Sequence, residues 1–294
     1  MTSPSGRQWN INAGAYAATI VEVGGGLRSL TRDGRDIVIG YGEDESAHAG
    51  IGQQLFPWPN RIADGRYTFD GRDEQLSITE PDKQNAIHGL TRWGSWSRLD
   101  DASSEDVCVV GYRLYGEPGY RHQLDISVRY QVSAEGLAVT AVARNIGTTS
   151  APYGFGTHPY LTVGRQLDEC ELTFTAAKRV DVDPERLLPR DLVDVAGTPF
   201  DFEAGKVVGD LFIDNAFTGL PEGEWAVRLT DPASEQSVSL TSDTRWLQLY
   251  SADALDRVGL AVEPMTCPPN AFVTGEDVVV LQPGDSHSTS YRIS

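Results

Sequence analysis

The feature that most constrains this chain is a period of two. Leu124, Ile126, Val128, Tyr130 and Val132 alternate with Asp125, Ser127, Arg129 and Gln131. In an extended strand that pattern puts one set on a dry face and the other in water, whereas a helix would scatter both sets around its axis. After Ala134-Glu135-Gly136, residues Leu137 to Ala143 read as the return arm of a hairpin. Further strands are expected at Ala18–Val23, Val107–Leu114, Glu171–Thr175, Trp225–Thr230, Ser237–Thr241, Trp246–Tyr250, Gly259–Glu263 and Val278–Leu281. Asp33-Gly34 and Asp70-Gly71 lie between candidate strands, as tight turns with positive φ require. From Arg179 to Gly209, scattered Pro and Asp predict loop with at most one helical turn. Helical patterns are otherwise almost absent. Many strands joined by turns predict an all-β fold, a large antiparallel sandwich in a single domain over residues 1–294.

The 294 residues suffice for one substantial core. The net charge of -18, from 24 basic and 42 acidic side chains, repels phosphate backbones and anionic membranes. Nucleic acid and membrane partners are therefore not expected. Met1 to Asn10 contains no apolar segment of the kind that directs secretion, and no run approaches membrane-spanning length, so a cytoplasmic location is expected. Cys108, Cys170 and Cys267 are far apart and form no C-x-x-C pair, which predicts buried or half-buried thiols and neither disulfides nor structural zinc.

Of the five histidines, two have unusual surroundings. His88 lies in Asn85-Ala86-Ile87-His88-Gly89-Leu90, and His158 lies in Gly156-Thr157-His158-Pro159-Tyr160, a shaped strand end that would hold its imidazole still. Either one alone reads equally well as a hydrogen-bonded packing residue. His48, His122 and His287 are expected to be solvated. Among the carboxylates, Glu263 ends the apolar run Val258-Gly259-Leu260-Ala261-Val262, and Asp214 follows Leu211-Phe212-Ile213. Desolvation at a buried strand end raises a carboxyl pKa towards the range of a general base. A structural ion pair for Glu263 and a turn for Asp214 are the plainer readings. Arg61, in Pro59-Asn60-Arg61-Ile62-Ala63-Asp64-Gly65, could fork onto sugar hydroxyls, orient a carboxylate or pin its own loop. Trp58, Trp93, Trp96, Tyr153, Tyr160, Trp246 and Tyr250 could stack on a sugar face, although most aromatics in a sandwich are core.

Together, Asn60-Arg61-Ile62, Asn85-Ala86-Ile87-His88-Gly89, Gly156-Thr157-His158-Pro159-Tyr160, Asp214-Asn215-Ala216-Phe217, Gln248-Leu249-Tyr250 and Val262-Glu263-Pro264 resemble the aldose 1-epimerase (galactose mutarotase) family, and in the family's order. The resemblance implies a β-supersandwich with a shallow sugar cleft. Position by position, it makes His158 the general acid and Glu263 the general base. His88 would assist at the ring oxygen, and Arg61, Asp214 and Gln248 would bind hydroxyls. Thr157 and Pro159 depart from the family's common Asn before the catalytic His and non-proline after it, and Ser251-Ala252-Asp253 departs from Thr-Gly-Asn. These departures leave the catalytic groups in place and bear on the choice of sugar. Pro57-Trp58-Pro59-Asn60-Arg61-Ile62-Ala63-Asp64-Gly65-Arg66-Tyr67 resembles the branch that includes sulfoquinovose mutarotases.

The implied activity interconverts the α and β anomers of a free hexose in a monomer or homodimer. Its substrate is a small monosaccharide, and it needs neither cofactor nor metal. No Walker loop or dinucleotide fingerprint occurs. Competing expectations are a glycoside hydrolase using Asp214 and Glu263, a metal enzyme using His88 and His158, a phosphosugar epimerase, and a sugar-binding protein without catalysis.

Overall fold

The computed structural model describes residues 3–294. The alternating segment forms the strand Leu124–Ser133, whose residues are buried one in two, and it pairs in register with Gly136–Asn145. This hairpin is central to an antiparallel nine-stranded sheet. On one side lie Val107–Leu114 and Ser97–Arg98; on the other lie Ser286–Ile293, Ser237–Ser242, Trp225–Thr230, Glu171–Thr173 and Lys206–Val207. Both edges are two-residue strands, too short to template pairing with another chain.

A second, eight-stranded sheet runs in the order Pro189–Asp194, Lys178–Val182, Asp214–Thr218, Trp246–Tyr250, Leu260–Met265, Gly156–Thr157, Gln54–Leu55, with Tyr160–Leu161 also paired to Leu260–Met265. Val128, Tyr130, Val139, Leu229 and Leu240 of the first sheet share one core with Phe217, Leu247, Leu249 and Val262 of the second. A four-stranded N-terminal sheet, beginning Gln8–Ala13 and Tyr16–Val21, packs against the Leu124–Ser133 strand. The α-helix, Ala271–Thr274, is a single turn. No helix among the described residues is long and apolar enough to cross a membrane. The all-β, antiparallel, single-domain expectation matches this architecture.

The Asp-Gly pairs make the turns expected of them. Asp33 and Gly34 have φ of 51° and 74°, and Asp70 and Gly71 have φ of 49° and 70°, each pair closing a hairpin. All three cysteines are free and buried.

The stretch from Arg179 to Gly209 departs from expectation. It holds most of the hairpin Lys178–Val182 and Pro189–Asp194, with an irregularity between Asp181 and Val182, and also Lys206–Val207. The outer arm is a sheet edge with no buried residue, so it carries no alternating apolar signal, and an edge tolerates Pro189. His122 is also not simply solvated. It is half-buried, edge-on to Tyr120 and Phe69 at 5.0 and 5.5 Å, and His287 is half-buried as well.

Phe217 shares its strand with Asp214 but projects into the core between the sheets, fully buried. Phe217→Ala should lower stability by about 3–5 kcal/mol in chemical denaturation, the range for emptying a packed aromatic site.

Candidate active site

Three neighbouring strands of the eight-stranded sheet build the floor of a cleft. In the antiparallel register, Asp214 lies opposite Tyr250, Ala216 opposite Gln248, and Gln248 opposite Glu263. Because faces alternate, Phe217, Leu247, Leu249 and Val262 enter the core while Asp214, Gln248, Tyr250 and Glu263 share the other face. Two small apolar clusters flank that face: Tyr160, Ala252 and Ala261 on one side, Ala216, Trp246 and Met265 on the other. Glu263 therefore stands inside the strand Leu260–Met265 and not at its end as the sequence suggests, because pairing continues through Met265 with Trp246.

His158 follows the short strand Gly156–Thr157, and its Nε2 lies 3.4 Å from Glu263 Oε1. Its ring is 4.9 Å from that of Tyr160 and 5.3 Å, edge-on, from that of His88. Gly50 closes the imidazole's other flank: a Cβ there would sit 3.0 Å from the ring. The Tyr160 hydroxyl donates to Ala49 O at 2.6 Å and so pins that loop.

The paired strands Arg61–Ala63 and Asn85–Ile87 bring the next groups. His88 N–H donates to Asn60 O at 2.9 Å, and His88 Nδ1 accepts from Asn60 N–H at 3.2 Å. An accepting Nδ1 carries no proton, so His88 is a neutral imidazole presenting Nε2–H. Burial, reinforced by Arg92, His158 and Arg61, holds its pKa well below the usual value. Gly89 is required next to it, since φ is +71° and a Cβ would lie 2.0 Å from Phe56 O.

Arg61 does two of the things its sequence setting allowed. Its Nε and Nη2 fork onto Glu80 at 2.9 and 3.0 Å, and Nη1 lies 3.7 Å from Asp214. Burial opposes the charge, but Asp214 and Glu80 hold the guanidinium's pKa above its usual value. Gln248 Nε2 donates to Asp214 Oδ1 at 2.7 Å. Asp214 begins a strand and does not act as a turn residue. Burial pushes its carboxyl up against the pull of Arg61.

Five of these residues, Arg61, His88, His158, Asp214 and Glu263, line a cleft of about 320 Å³. Gln248 stands behind it, bonded to Asp214. Three buried polar atoms at the site have no partner: Glu263 Oε2, His158 Nδ1 and Gln248 Oε1. Orphaned groups of this kind each cost about 1–3 kcal/mol.

Burial acts on the central pair in one sense. It pushes the Glu263 carboxyl well up, with Asp214 adding to the effect, and pulls His158 down to about 3, with Arg92 adding. Burial thus disfavours the charged form of both groups.

Sequence reasoning missed several neighbours. Glu80, in Thr79-Glu80-Pro81-Asp82, has no apolar surroundings and so failed the test that found Glu263. Lys83, Leu187 and Phe212 also line the cleft. Among the described residues, Arg92 donates only to the neutral Gln53 Oε1 and Ile87 O, at 3.3 and 3.5 Å. Of the candidate aromatics, Tyr160 and Tyr250 line the cleft and Trp246 flanks its floor. Trp58, Trp96 and Tyr153 are core, and Trp93 is exposed. Among the described residues, no group of three His, Cys, Asp or Glu side chains is placed to hold a metal ion.

This β-sandwich is the fold of galactose mutarotase-like proteins. The family model for aldose 1-epimerase matches residues 7–294, and the chain belongs to that family. It is 40% identical to the uncharacterized protein YihR of Escherichia coli, over 98% of this chain and 93% of that one. It is 25% identical to human galactose mutarotase, over 91% and 87% of the two chains. The fold is shared with an aldose epimerase homologue from C. elegans, at a TM-score of 0.87 and 22% identity over 98% of each chain.

The shifts at the pair set a stability profile. With His158 held near 3 against an ordinary 6.5, its contribution is complete above about pH 6.5 and is lost as pH falls towards 3. Glu263 works in the opposite sense: its contribution is complete below about pH 4.5 and is lost as pH rises towards the elevated folded value. Glu263→Gln should therefore raise stability at pH 7, measured by urea unfolding, and leave little change at pH 4.

Proposed function

We propose that this protein is a mutarotase, interconverting the α and β anomers of a free hexose by opening and closing the ring. The observation that carries the reading is the 3.4 Å approach of His158 Nε2 to Glu263 Oε1, in a cleft of pyranose scale. Mutarotation needs two proton transfers at oxygens that share one carbon. Glu263 carboxylate takes the anomeric hydroxyl proton while His158 imidazolium protonates the ring oxygen. The bond from C1 to the ring oxygen breaks and leaves an aldehyde, a neutral carboxylic acid and a neutral imidazole.

That product state is the proton arrangement burial favours. Burial therefore makes both transfers favourable once the charged pair has met the sugar. After rotation about C1–C2, closure on the other face of the aldehyde returns both protons and restores the pair. His88, neutral with Nε2–H available, would donate to the ring oxygen, while Arg61, Asp214 and Gln248 would bind hydroxyls. No electron or water is consumed, so the cycle closes without metal or organic cofactor. The reading carries with it a cytoplasmic monomer or homodimer acting on a small sugar.

A finer reading is a mutarotase for sulfoquinovose or another modified sugar. Its support is Lys83, an ammonium in the cleft lining held 3.5 Å from Glu80. A sugar-binding protein without catalysis would leave the orphaned Glu263 and His158 atoms with a binding task alone.

Polarimetry or NMR on freshly dissolved anomers of glucose, galactose, xylose, arabinose and sulfoquinovose should show accelerated approach to an unchanged final ratio for at least one. Glu263→Gln and His158→Asn should each lower kcat by about 10²–10⁴-fold. Equal rates with and without protein for every sugar would exclude catalysis.

A further inference from the structure

One segment that lines the cleft comes from far along the chain and has no role in the chemistry above. The tip of the Lys178–Val182 and Pro189–Asp194 hairpin, residues 183–188, reaches the site and contributes Leu187 to its lining. Leu187 has φ of +55°, the left-handed region that disfavours any side chain and suits glycine. Leucine in that conformation, in the lining of a cleft, points to a use for its side chain.

The tip is also fastened. Arg186 Nε donates to Lys83 O at 3.0 Å, and its Nη2 donates to Asp64 Oδ1 at 2.8 Å, Gln84 O at 3.0 Å and Asn85 Oδ1 at 3.3 Å. Asn85 Nδ2 donates both to Arg186 O and to Glu80 Oε2, each at 3.0 Å. The fastening thus joins the carboxylate that holds Arg61. Within the tip, Asp183 Oδ1 accepts from the backbone of Glu185 and Arg186, and Leu187 N–H donates to Asp183 O. A hairpin at a sheet edge is ordinarily the loosest part of a sandwich; this one is tied to the frame of the sugar cleft by charge-assisted bonds.

We propose that this tip is the specificity wall of the cleft, with Leu187 deciding which ring substituent the sugar can carry where it meets the tip, and Arg186 the positioning residue that holds it there. The inference rests on the mutarotase reading and deepens it.

The test compares kcat/KM of the wild-type chain, Leu187→Gly, Leu187→Phe and Arg186→Gln on pyranoses differing at one carbon: glucose with mannose, glucose with galactose, and glucose with xylose. Leu187→Gly relieves the left-handed backbone, so its melting temperature should hold or rise and misfolding does not confuse the result. For at least one pair, the kcat/KM ratio should change by about tenfold or more between Leu187→Gly and Leu187→Phe, the scale on which an apolar pocket discriminates substituents. Arg186→Gln should raise KM about fivefold with kcat nearly kept, as loss of a hydrogen-bonded fastening implies. Ratios within about twofold for all three pairs, with the wild-type chain active, would overturn this inference alone. A wild-type chain that turns over none of the sugars removes the mutarotase reading and this inference together.

Discussion

The cleft depends on strand register. Gln248 faces Glu263 across one pair of strands, and Asp214 faces Tyr250 across the next. A slip of one residue in either pairing would send these polar groups into the core and bring Leu249 or Val262 to the surface. What holds the register is the opposite face, where Phe217, Leu247, Leu249 and Val262 interlock with the nine-stranded sheet. The polar site is therefore located by apolar packing behind it. The same side chains that supply much of the fold's burial energy also place the carboxylates.

Placing them there costs stability. Glu263 and His158 are both buried, with an unpartnered polar atom on each, and burial opposes the charged form of both. A chain selected for stability alone would replace the pair with apolar residues. Both groups nonetheless face the cleft. Around them, the charges are arranged in compensated sets, Arg61 with Glu80 and Asp214, and Lys83 with Glu80.

Much of this was legible in the sequence, for identifiable reasons. The strand Leu124–Ser133 announced itself because one face is wet, and the Asp-Gly turns because their backbone conformation admits few residues. His158 and Glu263 stood out because imidazole between glycine and proline, and carboxylate in an apolar run, are costly places for polar groups. What stayed hidden was contributed by segments whose meaning lies in distant contacts. Glu80 is an ordinary acidic loop residue until Arg61 forks onto it. The tip bearing Leu187 is an edge hairpin without amphipathic signal, and only its ties to Lys83, Gln84 and Asn85 reveal where it goes. Glu263 was found but put at a strand end, since Pro264 reads as a stop when the pairing of Leu247 with Pro264 is unknown.

The two imidazoles of the cleft are aimed by different means. His88 is steered by a polar tether, the amide of Asn60 on its Nδ1, and can gain a proton there only by breaking that bond. His158 has no such tether on Nδ1 among the described residues; its Nε2 faces Glu263, and Tyr160, the edge of His88 and the bare backbone of Gly50 bound its ring. Its orientation is set by packing and by its approach to one carboxylate. In the proposed mutarotase the division would suit a shuttle beside a fixed donor, with the bare backbone of Gly50 setting where the shuttle sits.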